Sequence, residues 1–190
     1  MTFSQNGNVS VEEFFQIRET NEAIMEYIDG IVYMSPSPST KHQRISRRLE
    51  RFLEDFLDNK PCEMFHAPYD IQLESDKLKG KKIVVPDISI ICDKSGFTDE
   101  RYIGVPELIV EILSPSNQSH DLVTKLNLYM DCGVPEYWIV NPMLKAITVY
   151  TINDNGMYEQ HDMKTETGSI HSKILDGFRV EMEELFKQPV

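Results

Sequence analysis

Three side chains pose the chemical question in this sequence: Asp87, Glu111 and Lys125. The two acids interrupt apolar, strand-like runs, IVVPDISII at 83–91 and ELIVEIL at 107–113. The lysine lies in a helix-like segment, DLVTKLNLYM at 121–130. A strand interior rarely holds a carboxylate without a partner, because burying an unpaired charge is strongly unfavourable. Two such strands followed by a lysine-bearing helix suggest a metal site aimed at a phosphate.

Glu111 is the sharpest case. Period-two alternation puts Glu107, Ile109, Glu111 and Leu113 on one face, with Leu108, Val110 and Ile112 on the other. Glu111 therefore falls in mid-strand, away from a solvated end. A magnesium or manganese ion would resolve the cost, since hard cations take carboxylate, carbonyl and water oxygens. A structural ion pair with an arginine is the competing account. Asp87 follows Pro86, which donates no ladder hydrogen bond, so an edge, a bulge or a strand end is expected there. A bulge beside a carboxylate can aim the side chain into a site. Lys125 shares a helical stripe with Asp121 and Tyr129. Taken alone, a surface Asp–Lys pair is the commoner explanation, contributing about a few tenths of a kcal/mol. Glu26 shares a strand face with Ile24 and Ile28, and its plainest reading is an edge-strand carboxylate in water.

The elements that must position these residues are legible in outline. Ser10 with Glu13 forms a capping-box pattern ahead of VEEFFQIRE. Strands at 24–28 and 31–34 join at Asp29-Gly30, the dipeptide of a tight hairpin turn. The loop SPSPST leads to a helix over 41–57, capped by Ser39 or Thr40, with Ile45, Leu49, Phe52, Leu53 and Phe56 on its core face. Another stripe of that helix carries Lys41, Arg44, Arg48 and Arg51. It is either a solvated face, with Arg51 paired to Asp55, or a set of phosphate contacts. Residues 63–67 and 69–73 form one strand broken at Pro68, or two. ESDKLKGKK is a charged loop, and 93–105 reads as a long connection. Gly133 ends the lysine-bearing helix. Strands follow at 136–140 and 146–152, then a hairpin from 156–163 and 169–175, then a short helix or tail at 180–186. Helices and strands mixed in this order suggest an α/β or α+β fold around a mixed sheet.

Bulk properties narrow the classes. A chain of 190 residues accommodates one sizeable core, so a single domain over 1–190 is expected. No apolar run approaches the ~18–20 residues that span a bilayer, and MTFSQNGNVS lacks a secretory pattern, so a cytoplasmic setting without membrane association is expected. Cys62, Cys92 and Cys132 are odd in number and widely spaced, and reduced thiols are expected. A formal charge of −12 opposes non-specific nucleic-acid binding, which draws on cations that displace counterions. A nucleic-acid role then needs a local basic patch or a metal.

At this point Pro86-Asp87, with Glu111 in an apolar strand, resembles the PD-(D/E)XK nuclease superfamily. More closely, VEILSPSNQSHDLVTKLNLYMDCGVPEYWIVNP resembles the Uma-type family of restriction-endonuclease-like proteins. That family shows a glutamate strand, a Ser-Pro loop, Asp and Lys on the next helix, then Gly-Val and Tyr-Trp. The resemblance extends to EYIDG at 26–30, the Met34-Ser35-Pro36 loop and His42. One position departs from the superfamily: the usual lysine two residues after the acid is Leu113 here.

The resemblance implies a restriction-endonuclease-like core and a metal-dependent endonuclease acting on DNA. Asp87 and Glu111 would hold Mg²⁺ or Mn²⁺ with the Ile112 carbonyl. Lys125 would supply the amine from the following helix. Glu26 would be a supporting or additional ligand. His42 would bond the substrate, with Arg44, Arg48 and the lysines at 77, 79, 81 and 82 as candidate phosphate contacts. The rival expectation is a nuclease-fold protein without catalysis that acts by association, with a homodimer as one arrangement.

Overall fold

The computed structural model describes residues 2–3, 8–75, 80–115 and 120–188. In chain order these form β1 (Thr2–Phe3), α1 (Val11–Glu19), β2 (Ile24–Ile28), β3 (Ile31–Ser35), α2 (Thr40–Leu57), β4 (Glu63–His66) and β5 (Asp70–Leu73). Next come β6 (Lys82–Val84), β7 (Ile88–Ile91), β8 (Arg101–Ile103) and β9 (Leu108–Ile112). A π-helical turn (His120–Lys125) then runs directly into α3 (Leu126–Cys132). The rest is β10 (Glu136–Asn141), β11 (Ala146–Ile152), β12 (Tyr158–Thr165), β13 (Ser169–His171), β14 (Arg179–Glu181) and α4 (Met182–Leu185).

Among the described residues, one six-stranded sheet runs β1-β3-β2-β6-β5-β8 and a second runs β12-β11-β10-β9-β7-β4, with β13 and β14 paired separately. Both large sheets are mixed: β5 lies parallel to β8 and β9 parallel to β10, while the other pairings are antiparallel. The hairpin expected at Asp29-Gly30 is present, and both residues take positive φ, the conformation a two-residue turn demands. The capping box of α1 is formed, and Ser39 caps α2.

The two sheets meet at a seam. The run 83–91, read from sequence as one strand, is two: β6 belongs to the first sheet and β7 to the second. Pro86 has no N–H to give, so the ladder ends there and Val85-Pro86-Asp87 crosses between sheets. The alternatives at Pro68 resolve the same way, with β4 in the second sheet and β5 in the first. The Ala67–Pro68 peptide is cis. The two crossings are tied together where the Ala67 N–H donates to the Asp87 carbonyl at 3.1 Å. Asp87 is thus held at a sheet junction.

The central strand β9 divides the core as its alternation predicted. Leu108, Val110 and Ile112 pack with Ile45, Leu49 and Leu53 of α2. Ile109 and Leu113 pack with Leu128 and Tyr129 of α3. Glu111 shares that second face.

Several expectations are corrected. The 93–105 connection contains β8, which pairs with β5 through a short, polar-flanked segment that hydropathy alone does not mark. The late hairpin is absent: β12 extends the second sheet on β11, and β13 pairs with β14. The terminal segment 180–186 begins in β14 and makes only one helical turn in α4. Cys62 and Cys92 are bridged, not reduced. They lie 30 residues apart in sequence, but the antiparallel register Glu63↔Ile91 brings their Cα atoms within 4.0 Å. Cys132 is a free, buried thiol whose pKa burial pushes up to about 12. Among the described residues, no helix is long and apolar enough to cross a membrane.

Candidate active site

A cavity of about 390 Å³ opens at the seam. One wall is the start of α2 with His42, Gln43, Ser46 and Glu50, and another is the Ser35–Ser39 loop. The crossing segments supply Ala67, Pro68, Val85 and Asp87. Glu111, Ile112, Ser114 and Lys125 also line it.

Asp87 is fixed through one oxygen. Its Oδ2 accepts the Ile112 N–H at 2.7 Å and lies 3.1 Å from His42 Nε2. Ile112 on β9 therefore orients the acid that the β6–β7 crossing delivers.

Glu111 is fixed by a cation and a hydroxyl. Lys125 Nζ donates to its Oε1 at 2.8 Å, and the Tyr129 hydroxyl donates to the same oxygen at 2.8 Å. The Asp–Lys surface pair considered for Lys125 is overturned, because Lys125 is only 4% exposed and Glu111 only 3%. A lysine this deep needs carboxylate partners, and besides Glu111 it has Glu26, whose Oε1 lies 2.9 Å away. Burial first, then the Glu111 and Glu26 anions, push the Tyr129 hydroxyl pKa far up, so it keeps its proton and remains a donor.

Glu26 is likewise not an edge-strand acid in water. β2 lies between β3 and β6, and Glu26 is 1% exposed. Its Oε1 also accepts the Val85 N–H at 2.9 Å, and its Oε2 lies 3.3 Å from His120 Nε2. Burial by itself would raise this carboxyl. The Lys125 ammonium, with hydrogen bonds from His120 and Val85, outweighs that and holds its pKa at about 2.

The π-helical turn explains how His120 and Lys125 both reach Glu26. Five residues apart, they would project roughly 140° apart on an α-helix. The wider i→i+5 turn swings them toward one side, after which α-helical spacing puts Tyr129 one turn past Lys125. The His120 ring is stacked on Tyr33, with centroids 4.3 Å apart.

The residues read from sequence thus divide into those at the cavity and those away from it. Asp87, Glu111, Ile112, Lys125 and His42 line it together, with Glu26 bonded to Lys125. Arg44 and Arg48 are not among its lining residues. Arg44 is exposed, whereas Arg48 Nη1 donates to the Leu185 and Lys187 carbonyls, each at 2.7 Å. Lys82 is corrected as a phosphate contact: it is buried, with Nζ 2.8 Å from Asp29 Oδ1. Lys81 is exposed, and Lys77 and Lys79 lie outside the described residues.

Sequence reasoning missed His120, Tyr33 and the two residues, Ser46 and Glu50, that share a polar stripe of α2 with His42. That stripe repeats every four residues beside the core face of α2, a signal that could have found it.

Residues 11–183 match the family Uma2, whose description reads "Putative restriction endonuclease". The chain belongs to the Uma2 family. An uncharacterized protein of Synechocystis sp. is 32% identical over 149 residues, spanning 78% of this chain and 76% of the relative. A solved structure from Anabaena variabilis, described as "a putative nuclease belonging to DUF820", superposes with a TM-score of 0.72 at 18% identity. That superposition covers 94% of this chain and 97% of the other. At that identity the match speaks to fold, and the mixed α/β architecture is shared. The Uma2 residues 11–183 take in every side chain that lines the cavity.

Proposed function

We propose that this chain is a divalent-metal-dependent nuclease that hydrolyses DNA phosphodiester bonds. The observation that carries the reading is the convergence of Asp87, Glu111 and Lys125 on one cavity at the sheet seam. Three distant parts of the chain deliver them, and family membership gives the same direction.

The donor set suits Mg²⁺ or Mn²⁺: two carboxylates beside Ile112, whose carbonyl would add a third oxygen. Among the described residues, no group of three or more His, Cys, Asp or Glu side chains is arranged to hold an ion. An ion held by Asp87, Glu111 and the Ile112 carbonyl would therefore retain several waters, as Mg²⁺ ordinarily does. When bound, it supplies Lewis-acid activation of a phosphodiester and of a water.

The protein's own groups do the rest. Lys125 presents an ammonium beside Glu111, placed to stabilise negative charge that develops on phosphoryl oxygens. The Ile112 N–H and His42 hold Asp87 in one orientation. Ser39, Gln43 and His42 at the start of α2 offer hydrogen-bonding groups to a phosphate or sugar entering the cavity. Arg44, with Lys41 and Arg51, forms an exposed basic stripe that suits backbone contacts beyond it.

A second reading has one observation in its favour. Lys125 already pairs with both Glu26 and Glu111, so each acid of a nuclease-fold protein without catalysis would also have a cationic partner. Cleavage of plasmid and single-stranded DNA with Mn²⁺, with EDTA as control, decides between them. The nuclease reading expects cleavage by the parent chain and its loss in Asp87→Ala, Glu111→Ala and Lys125→Ala. Cleavage surviving all three substitutions, or none by the parent, rejects it.

A further inference from the structure

Lys125 stands between two acids in different settings. Its Nζ lies 2.8 Å from Glu111 Oε1 and 2.9 Å from Glu26 Oε1. Glu111 lines the cavity with Asp87, whereas Glu26 is not among the lining residues. Glu26 has its own fixed partners in the Val85 N–H and His120. The ammonium is therefore shared between an acid that faces the cavity and an acid anchored behind it.

A divalent ion and an ammonium both seek carboxylate oxygen, and they repel one another strongly where water is scarce. A single carboxylate oxygen, Glu111 Oε1, cannot hold both closely. It also carries the Tyr129 hydroxyl, which keeps that carboxylate oriented whichever cation is present.

We propose that Lys125 and the divalent ion are alternative partners of Glu111 Oε1, and that Glu26 is the positioning residue that retains Lys125 when the ion takes that oxygen. This rests on the reading that Asp87 and Glu111 hold such an ion. Lys125 then stays charged and inside the cavity instead of being expelled, because its second contact does not depend on Glu111. Replacing Glu26 leaves Glu111 as the ammonium's remaining carboxylate among these two, so the ion must displace a more tightly held lysine. Glu26 thereby promotes ion binding without touching the ion.

The test is Mn²⁺ binding measured by calorimetry on the whole chain, in a cycle of parent, E26Q, K125M and the double variant, with D87N as reference. The expected result is a loss of roughly tenfold in Mn²⁺ affinity for E26Q in the parent background. In the K125M background the same change should cost less than about threefold. Equal losses in both backgrounds, or no loss in either, overturn the proposal, since Glu26 would then bind the ion directly or play no part. Absence of Mn²⁺ binding by the parent, or binding that D87N leaves unchanged, instead defeats the metal reading and this proposal with it.

A second measurement needs no change at Lys125. The ¹⁵N signal of its ammonium should shift but persist when Mg²⁺ is added to the parent. In E26Q it should be lost to exchange with water on the same addition. Loss of the parent's signal on adding Mg²⁺, or an undisturbed signal in both chains, overturns the proposal even if K125M does not fold.

Discussion

The Tyr129 hydroxyl and the Lys125 ammonium donate to the same oxygen of Glu111, each at 2.8 Å. One carboxylate oxygen with two buried donors is a strongly specified position, and it fixes the acid's rotamer from the α3 side. Tyr129 is fully buried, so its hydroxyl has no bulk water to turn to. Tyr129→Phe removes one donor while preserving the ring's packing. Its expected cost is about 1.5–3 kcal/mol, in the range of hydrogen bonds to charged groups. Urea melts of parent and variant measure it. A midpoint unchanged within error would mean that the hydroxyl contributes nothing to holding Glu111.

Glu26 sets an acid limit on stability. Its folded-state pKa is about 2, below the 4.5 of a free carboxyl, so the folded chain binds this proton more weakly than the unfolded chain does. The stabilisation it gives is complete above about pH 4.5 and drains away as pH falls toward 2. Melting temperature followed from pH 5 to pH 2 should fall steeply in the parent and less steeply in Glu26→Gln. Identical slopes would show that other carboxyls govern the acid transition.

Much of this site was legible in the sequence, and the reasons differ by residue. Glu111 was visible because strand alternation placed it in mid-strand on an apolar face, and the structure keeps that face. Mid-strand burial alone did not identify the partner, however. Glu136 is fully buried in β10, and its carboxylate is satisfied by the Trp138 indole and by the N–H groups of Lys173 and Ile174, with no metal required. The edge-strand reading of Glu26 failed because its strand's neighbours are set by long-range pairing with β6, which local pattern does not encode. The bridge between Cys62 and Cys92 was invisible for the same reason. His120 escaped notice because only a π-helical turn carries it to Glu26, and that geometry has no simple periodic signature.

The disulfide closes a long loop. Cys62 and Cys92 are 30 residues apart, which corresponds to about 3–4 kcal/mol of lost unfolded-state entropy in the chain-entropy account. For a chain of this size, reduction should lower the melting temperature by on the order of 10 °C. Calorimetry with and without a phosphine reductant measures the shift, and the Cys62→Ser/Cys92→Ser variant should match the reduced parent. Melting that ignores the reductant would mean that the two sulfurs are not bonded in solution.

Metal addition provides a measure independent of cleavage. An ion that binds the folded chain and not the unfolded one raises stability by about 2.7 kcal/mol at a hundredfold excess over its dissociation constant. That corresponds to roughly 5–10 °C for a protein of this length. Mn²⁺ should raise the melting temperature of the parent, and Asp87→Ala should remove the rise. A rise that survives Asp87→Ala would place the ion elsewhere.

Arg44 and Arg48 lie on one helix, four residues apart, yet the structure gives them different surroundings. Arg48 bonds two carbonyls near the C-terminus and so ties α2 to the end of the chain, whereas Arg44 is exposed. Arg48→Ala should therefore destabilise the fold by about 1–3 kcal/mol. Its effect on DNA affinity, measured where the variant is fully folded, should be small. Arg44→Ala should leave stability within about 0.5 kcal/mol of the parent. If Arg44 contacts a phosphate, its removal should weaken DNA binding and reduce the slope of log affinity against log salt by about one. Fluorescence anisotropy across a salt series measures that slope. An unchanged slope in Arg44→Ala would assign the exposed stripe of α2 to solvent and move the search for phosphate contacts to the cavity rim.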